Sequence, residues 1–318
     1  MLFSIFLLLL GFVVLIKGAD WLVDGATFLA KKNNIPNIVI GLTIVAFGTS
    51  APELVVNTVA SYEKHSDIVL GNIIGSNNFN LFMILGIVGI IYPITIQSST
   101  MKNEIPISLF AAILLLVLAN GYLPYDDMGL SRIDGAILLV MFLLFLYYIF
   151  QKMKNDKNTV EVEIVETTIF KIWGLIVIGL AGLIIGGKLI VDNAVNIASQ
   201  LGVSQKIIGF TIIAAGTSLP ELMTSVVAAL KKNSDIAIGN IIGSNIFNIF
   251  LILSISALVR PIEYKEVFNM DVYILIGGTI FLFTSMFTGK KMKLDRFEAT
   301  LLLLTFIGYT AYLVSKEL

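Results

Sequence analysis

Long apolar stretches alternate with short polar connections along the 318 residues of the chain. A helix of about 20 apolar residues crosses the hydrocarbon core of a bilayer, and it satisfies its own backbone hydrogen bonds, as a lipid-exposed segment must. The pattern therefore predicts an all-α membrane protein with ten transmembrane helices. We place these spans at residues 2–30, 36–61, 66–92, 104–121, 130–151, 167–199, 204–230, 234–259, 268–288 and 294–315.

The composition supports a membrane protein. Hydrophobic residues make up 57% of the chain and charged residues 14%, whereas soluble domains carry about 25% charged residues. The absence of cysteine excludes disulfides and thiolate metal sites. No basic residue precedes Lys17, so we interpret the N-terminal segment as a retained first span rather than a signal peptide. The expected partner is the lipid bilayer, without nucleic acid, and we expect a monomer.

One stretch of the sequence occurs twice. Residues 41–88 and 209–256 align without a gap at a constant offset of 168 and are identical at 29 of 48 positions. Asp24 and Asp192 lie at the same offset, which extends the repeat beyond these segments. We therefore divide the chain into two five-helix repeats joined by a charged linker. The predicted boundaries are 1–151 for the first repeat, 152–166 for the linker and 167–318 for the second repeat.

The odd number of spans in each repeat decides its orientation. Because five spans precede the linker, the second repeat enters the membrane from the opposite side, which is the inverted-repeat architecture of many secondary transporters. Lys and Arg total 13 in the loops that follow odd-numbered spans and 6 on the other side. The positive-inside rule then predicts a cytoplasmic linker and places both termini outside the cytoplasm.

Each repeat carries one glutamate inside an apolar span, in the sequences GTSAPE and GTSLPE. These residues are Glu53 and Glu221, and an ionisable residue at membrane depth is a functional hypothesis by default. Pro52 has no N–H for the carbonyl of Gly48, so we expect the helix to break or kink there. The break should free backbone carbonyls in residues 46–49, which need a partner inside the protein. A cation at the membrane midplane is a suitable partner.

The following segment of each repeat adds further oxygen ligands. In GNIIGSNNFN, Ser76 and Asn80 lie four residues apart and share a helix face. Ser244 and Asn248 occupy the same positions in the second copy. Hard cations bind carboxylate, carbonyl and hydroxyl oxygens, and the motifs contain these groups without thiol or imidazole. The duplicated pattern therefore predicts a symmetric cation site.

Two further features of these segments are interpreted as structural. The Ser-Asp pairs at 66–67 and 234–235 precede the second helix of each motif, and we expect them to act as N-caps rather than ligands. Glycines four residues apart leave room for close helix approach. These glycines are Gly71, Gly75, Gly239 and Gly243.

Other interpretations of the glutamates are open at this stage. A GTSxP kink can be purely structural, and an intramembrane Glu can pair with a Lys, for which Lys17 and Lys188 are available within spans. Two identical kinks, each with a Glu and followed by the same Ser/Asn face, favour a functional role. An intramembrane hydrolase would need paired aspartates, a Ser/His pair or a metal set, and the only histidine, His65, lies in a loop. We expect no enzyme and no cofactor.

The duplicated motifs resemble the two signature repeats of the calcium/cation antiporter superfamily. GTSAPE with GNIIGSNNFN, and GTSLPE with GNIIGSNIFN, are similar to those of prokaryotic sodium/calcium exchangers, and the resemblance covers the whole chain. It implies a calcium site made by Glu53, Glu221 and the carbonyls of Thr49 and Thr217. Sodium sites that share the glutamates are implied to use Ala46, Ser50, Ser76, Ala214, Ser218 and Ser244. Asn80 and Asn248 are implied to line the middle position.

The resemblance implies an antiporter that exchanges Ca²⁺ for Na⁺ across a prokaryotic-type plasma membrane. The same two glutamates would serve either ion, and the first and sixth spans would slide across a fixed core of spans 2, 3, 7 and 8. Potassium-dependent relatives carry Asp at the position of Asn248, whereas both copies here have Asn, which argues against potassium transport. Ca²⁺/H⁺ exchange stays open because a buried Glu also binds protons, and a cation channel is the less favoured alternative.

Overall fold

The computed structural model describes residues 1–122, 128–155, 167–201, 214–288 and 291–317. This part of the chain is predominantly helical, with one short ladder in which β1 (Ile94–Thr95) pairs antiparallel with β2 (Lys293–Leu294). The helices, in chain order, are α1 (Leu2–Lys32), α2 (Asn37–Ile40), α3 (Ala46–Thr49), α4 (Ala51–Tyr62), α5 (Ser66–Asn78), α6 (Leu85–Ile91), α7 (Ser98–Lys102), α8 (Glu104–Ala119), α9 (Arg132–Asn155), α10 (Ile169–Gln200), α11 (Ala214–Gly216), α12 (Leu219–Leu230), α13 (Ser234–Phe247), α14 (Leu253–Val259), α15 (Asn269–Ser285) and α16 (Arg296–Glu317).

Seven of the described helical segments are long and apolar enough to cross a membrane. An eighth results if the bent pair Asn37–Thr49 and Ala51–Tyr62 is counted as one span. These eight coincide with eight of the ten predicted spans. Of the other two, the span at 204–230 lies partly outside the described residues, and the span at 294–315 contains α16. The all-α membrane architecture is confirmed, and the ten-span layout stays a prediction.

The offset found in the sequence reappears in the helix boundaries. Helix α4 covers Ala51–Tyr62 and α12 covers Leu219–Leu230, which is a shift of 168 at both ends. The continuous helical segment Ser66–Ile91 has its counterpart in Ser234–Val259 at the same shift. Matching sequences therefore form matching helices, while the domain boundaries and the inverted orientation stay predictions.

Short π-helical segments interrupt the two central helices. Phe79–Ile84 joins α5 to α6, and Asn248–Ile252 joins α13 to α14. A third segment, Gly41–Val45, joins α2 to α3. Such segments turn the side chains that follow and often occur at functional sites. Hydrophobic periodicity did not predict them, yet two of them contain the asparagines Asn80 and Asn248.

Glycines allow the central helices to approach at backbone distance. A Cβ atom added to Gly239 would lie 3.0 Å from the Cα atom of Gly41, and one added to Gly243 would lie 2.7 Å from the Cβ atom of Ala46. This confirms the close approach predicted for α13. The close approach predicted at Gly71 and Gly75 is not tested. By the repeat offset their packing partners would include residues 209–213, which lie outside the described part of the chain.

The two longest helices, α1 and α10, pack against each other at backbone distance. A Cβ atom added to Gly18 would lie 2.8 Å from the carbonyl oxygen of Gly179. One added to Gly186 would lie 2.9 Å from the carbonyl oxygen of Gly11. The two contacts run in opposite directions along the chain, so the helices are antiparallel. Side chains would separate them, and glycine therefore sets this spacing.

The N-caps of the central helices differ from the sequence interpretation. Helix α5 starts directly after His65, and α13 starts directly after Asn233, so the serines are the first helical residues. The Asn233 side chain accepts a hydrogen bond from the backbone N–H of Ile236 (3.1 Å). The expectation of Ser or Asp caps is thus wrong by one residue, because the residue before each Ser-Asp pair has the cap conformation.

Helix α9 extends beyond the first predicted repeat, to Asn155. At the start of the predicted linker, Lys152 is buried, and its ammonium group lies 2.7 Å from the Glu104 carboxylate. The same ammonium group donates to the hydroxyl of Ser99 at 3.2 Å. The first linker residues therefore belong to the helical body, and residues 156–166 lie outside the described part of the chain.

Candidate cation site

The predicted helix break occurs at the serine before each Ala/Leu-Pro-Glu sequence. Ser50 separates α3 from α4 with φ −84° and ψ 5°, and the two helical segments meet at a bend of 47°. Thr217 and Ser218 separate α11 from α12, and Ser218 has φ −90° and ψ 6°. Pro52 follows the break and cannot donate to the preceding turn. Both glutamates consequently lie in the first turn of a helix that begins inside the protein.

The carbonyl of Ala46 is a correction to the sequence interpretation. It accepts the backbone N–H of Ser50 at 3.0 Å and the hydroxyl of Thr49 at 3.3 Å, so the break does not leave it free. A carbonyl oxygen has two lone pairs, and both are used here. Its counterpart Ala214 begins α11, and its side chain lies outside the described part of the structure.

The two glutamates are buried and are held by serines from the opposite repeat. Glu53 is 2% exposed and Glu221 is 1% exposed. The Ser50 hydroxyl donates to Glu221 Oε1 at 2.9 Å, and the equivalent Ser218 hydroxyl donates to Glu53 Oε1 at 3.5 Å. Each motif therefore orients the carboxylate of the other one.

The serines of the following helices complete two equivalent clusters. Ser50 Oγ lies 3.0 Å from Ser244 Oγ, and Ser218 Oγ lies 3.1 Å from Ser76 Oγ. Each cluster thus combines one carboxylate with two hydroxyl groups. We name them after their glutamates: the Glu221 cluster contains Glu221, Ser50 and Ser244, and the Glu53 cluster contains Glu53, Ser218 and Ser76.

Four asparagines form a symmetric network between the central helices. Asn80 donates its amide N–H to Asn245 Oδ1 at 3.1 Å, and Asn248 donates to Asn77 Oδ1 at 3.0 Å. Asn77 and Asn245 in turn donate to each other's backbone carbonyls at 3.4 and 3.3 Å. The sequence reasoning missed Asn77 and Asn245, although both follow the serine of GSN in the two copies. Asn80 and Asn248 use their side-chain nitrogens in this network, and their side-chain oxygens Oδ1 take no part in it.

Four carboxylate or amide oxygens of the predicted ligand residues are buried without a hydrogen-bond partner among the described residues. They are Oε2 of Glu53, Oε2 of Glu221, Oδ1 of Asn80 and Oδ1 of Asn248. Leaving a buried acceptor unpaired is costly, and more so for a carboxylate. All four are acceptors, and they form two pairs at the repeat offset. Such a set is suited to a hard cation, which binds oxygen ligands.

The threonines that precede the break differ between the two copies. The Thr49 hydroxyl donates to Asn240 Oδ1 at 3.0 Å, and Asn240 also donates to the backbone carbonyl of Glu221 at 3.3 Å. The Thr217 hydroxyl is buried without a partner within the described residues. The Thr49 hydroxyl thus has an asparagine acceptor in the other repeat that the Thr217 hydroxyl lacks among the described residues. Asn240, which sequence reasoning also missed, connects Thr49 of the first copy to Glu221 of the second copy.

The alternative pairing of a glutamate with an intramembrane lysine does not occur. Lys17 and Lys188 are exposed on the outer faces of α1 and α10, whereas both glutamates are buried. His65 is exposed in the loop before α5, as expected. Across the described residues, no group of three or more His, Cys, Asp or Glu side chains is placed to hold a metal ion. The cation ligands on offer are thus two carboxylates supported by neutral oxygens.

Comparison with known proteins agrees with this geometry. The family described as sodium/calcium exchanger protein matches residues 3–151 and 171–315, which is most of the chain. The chain belongs to the sodium/calcium exchanger family. This confirms the resemblance that the duplicated motifs suggested and makes the protein a membrane transporter of the exchanger class.

Two relatives match this exchanger over nearly its full length. A putative antiporter, CaxA of Alkalimonas amylolytica, is 39% identical, with 99% of this chain and all of that protein covered. The sodium/calcium exchanger MaX1 of Methanosarcina acetivorans is 33% identical, with 96% and 97% covered. A solved structure of the sodium-calcium exchanger NCX_Mj, soaked without Na⁺ and Ca²⁺, superposes with a TM-score of 0.83 at 33% identity and covers 98% of both chains. The likeness to this exchanger structure therefore covers 98% of the chain.

Proposed function

We propose that the protein is a secondary active antiporter that exchanges Ca²⁺ for Na⁺ by alternating access. The observation that carries this proposal is the symmetric set of unpartnered oxygens on Glu53, Glu221, Asn80 and Asn248. Two carboxylates give this set a charge of −2, which balances one Ca²⁺. The carbonyls of Thr49 and Thr217 would complete a coordination shell of about six to eight oxygens.

Sodium binding is assigned to the flanking clusters. The Glu221 cluster and the Glu53 cluster each combine one carboxylate with two hydroxyls. One negative charge with neutral oxygens suits a monovalent cation, and the backbone carbonyl of Ala214 would add a ligand. Because both clusters use the glutamates of the calcium set, sodium loading and calcium loading exclude each other. This competition couples the two ion gradients.

The proposed architecture has ten spans in two inverted repeats, with both termini outside the cytoplasm and a monomeric unit. Helices α1 and α10, which pack together through glycine, would slide as one body across the central helices. Movement of this pair would expose the buried carboxylates to one side of the membrane and then the other. Inverted repeats around a midplane site are typical of secondary transporters.

The experiment that tests the proposal is calcium flux in proteoliposomes. We expect an outward-to-inward Na⁺ gradient at fixed pH to drive ⁴⁵Ca²⁺ movement, and a pH gradient in sodium-free buffer to drive little. The Glu53→Gln variant, which retains the shape of the side chain, is the inactive control. Strong flux under the pH gradient and none under the Na⁺ gradient would contradict sodium coupling.

That second result would instead support Ca²⁺/H⁺ exchange. The observation in favour of this candidate is that each buried glutamate keeps one oxygen without a hydrogen-bond partner among the described residues. Such an oxygen accepts a proton without breaking an existing contact. Passive Ca²⁺ conductance that needs no counter-ion and exceeds about 10⁶ ions per second would indicate a channel, since exchangers complete a conformational cycle for each turnover on microsecond to second timescales.

A further inference from the structure

A charged contact ties helix α1 to the second copy of the motif. The ammonium group of Lys231, which directly follows α12, lies 2.6 Å from Asp20 Oδ1 and 2.6 Å from Asp24 Oδ1. Asn233 donates to the Thr27 hydroxyl of α1 at 3.2 Å in the same loop. The predicted topology puts these residues on the cytoplasmic side. We name the set of Lys231, Asp20 and Asp24 the inner latch.

The repeat offset leads to a second set in which the lysine and one carboxylate exchange places. Adding 168 to Asp20 and Asp24 of α1 leads to Lys188 and Asp192 of α10. Subtracting 168 from Lys231 leads to Glu63, in the loop between α4 and α5. The set of Glu63, Lys188 and Asp192 therefore contains one lysine and two carboxylates, as the inner latch does. We name it the outer latch, because the predicted topology puts it on the extracytoplasmic side.

The outer latch is open in this structure. Lys188 and Asp192 are exposed on α10 and make no hydrogen bond or ion pair with any described residue. The Glu63 carboxylate has only a distant contact in its own loop, 3.9 Å from His65 Nε2. Lys231 is thus bound between two aspartates in the inner latch, whereas Lys188 is unbound in the outer latch.

The two latches are mechanically connected. The inner latch holds α1 and the outer latch would hold α10, and these helices meet at backbone distance through Gly18 and Gly179. A shift of the pair along the central helices therefore moves Asp20 and Lys188 together. The helices belong to opposite repeats. A movement that pulls Asp20 away from Lys231 on one side therefore moves Lys188 toward Glu63 on the other side.

We infer that the inner and outer latches close in turn and position the α1–α10 pair in the two end states of transport. This inference rests on the proposed alternating-access function. The inner latch stabilises the state seen here, and the outer latch stabilises the opposite one. The groups are about a third exposed, and an ion pair of that kind shifts an equilibrium by roughly two- to fivefold. Such a bias balances the two states without locking either.

Disulfide trapping tests the existence of the second state directly. The chain has no cysteine, so Glu63→Cys with Lys188→Cys introduces the only pair of thiols. A disulfide needs Cα atoms within about 7 Å, an approach that thermal motion reaches from a closed latch but not from an open one. Asp20→Cys with Lys231→Cys is the positive control, since that contact exists here. Glu63→Cys with Lys17→Cys, which uses an exposed lysine position of α1, is the negative control.

The coupling between the latches is tested by adding Lys231→Gln to the Glu63→Cys/Lys188→Cys protein. Weakening the inner latch should raise the rate of disulfide formation by about two- to fivefold. Lys232→Gln, which removes the same charge from the neighbouring residue, is the matched control and should leave the rate unchanged. Both rates are measured in lipid vesicles by gel mobility under a mild oxidant, without any transported ion.

The possible outcomes separate this inference from the proposed function. Formation of the Glu63→Cys/Lys188→Cys disulfide, with acceleration by Lys231→Gln, supports the latches even if flux experiments show a counter-ion other than Na⁺. No disulfide between these positions, while Asp20→Cys/Lys231→Cys forms one, overturns the outer latch. An equal effect of Lys231→Gln and Lys232→Gln overturns the coupling. Failure of calcium flux alone would contradict the proposed function and leave the disulfide results as they are.

Discussion

Replacing either buried glutamate by glutamine should abolish calcium exchange while the protein stays folded. Glu53 and Glu221 are the only carboxylates in the candidate site as described. Glutamine keeps the side-chain length, and its Oε1 still accepts a hydrogen bond from the serine of the opposite repeat. The packing around either residue is therefore retained, and only the charge is removed.

The magnitude follows from the charge of the site. A divalent cation about 3 Å from a carboxylate gains roughly 11 kcal/mol from that one charge at an effective dielectric constant of about 20. Desolvation offsets much of this attraction. If about 4 kcal/mol survives as a net effect, calcium affinity falls about a thousandfold, since each 1.4 kcal/mol is a factor of ten.

The assay combines binding with stability. Calcium at about a hundred times its dissociation constant should stabilise the native exchanger by about 2.7 kcal/mol, and Glu53→Gln or Glu221→Gln should lose this thermal shift and the ⁴⁵Ca²⁺ flux together. Glu266→Gln removes the same charge from an exposed position outside the site and should behave like the native protein. Native-like flux in either site variant would refute the assignment of the calcium ligands.

Three further predictions concern sodium, potassium and the glycine contact. Ser50→Ala and Ser218→Ala should each raise the KM for Na⁺ about two- to tenfold, because each removes one hydroxyl from a sodium cluster, as measured by Na⁺ titration of calcium flux. Potassium should be neither required nor carried, since the site holds two acids, and flux with and without K⁺ checks this. Gly18→Ala should lower Tm, because its Cβ would lie 2.8 Å from a carbonyl oxygen and overpacking costs about 1–3 kcal/mol; Gly277→Ala, where no described atom lies within 4 Å, should not.

Local sequence patterns were sufficient for most of the helices and for locating the buried oxygen-bearing residues of the candidate site, whose role as ligands stays a prediction. Apolar runs long enough to cross a bilayer predicted eight spans that the structure describes as helical segments. Pro52 predicted the break because a missing N–H is a local property, and the break occurs two residues before it, at Ser50. Ser76 and Ser244, which the offset of 168 relates, make equivalent contacts with Ser218 and Ser50.

The tertiary structure decided which groups meet. Ser50 lies three residues from Glu53 in sequence, yet it donates to Glu221, 171 residues away. Asn77 pairs with Asn245 across the same divide. No periodicity within one repeat encodes these contacts, because they depend on how two separately folded motifs face each other. The residue types of the site were therefore readable from the chain, whereas their pairing arises only where the two repeats pack and bury polar oxygens that must find partners from the other half.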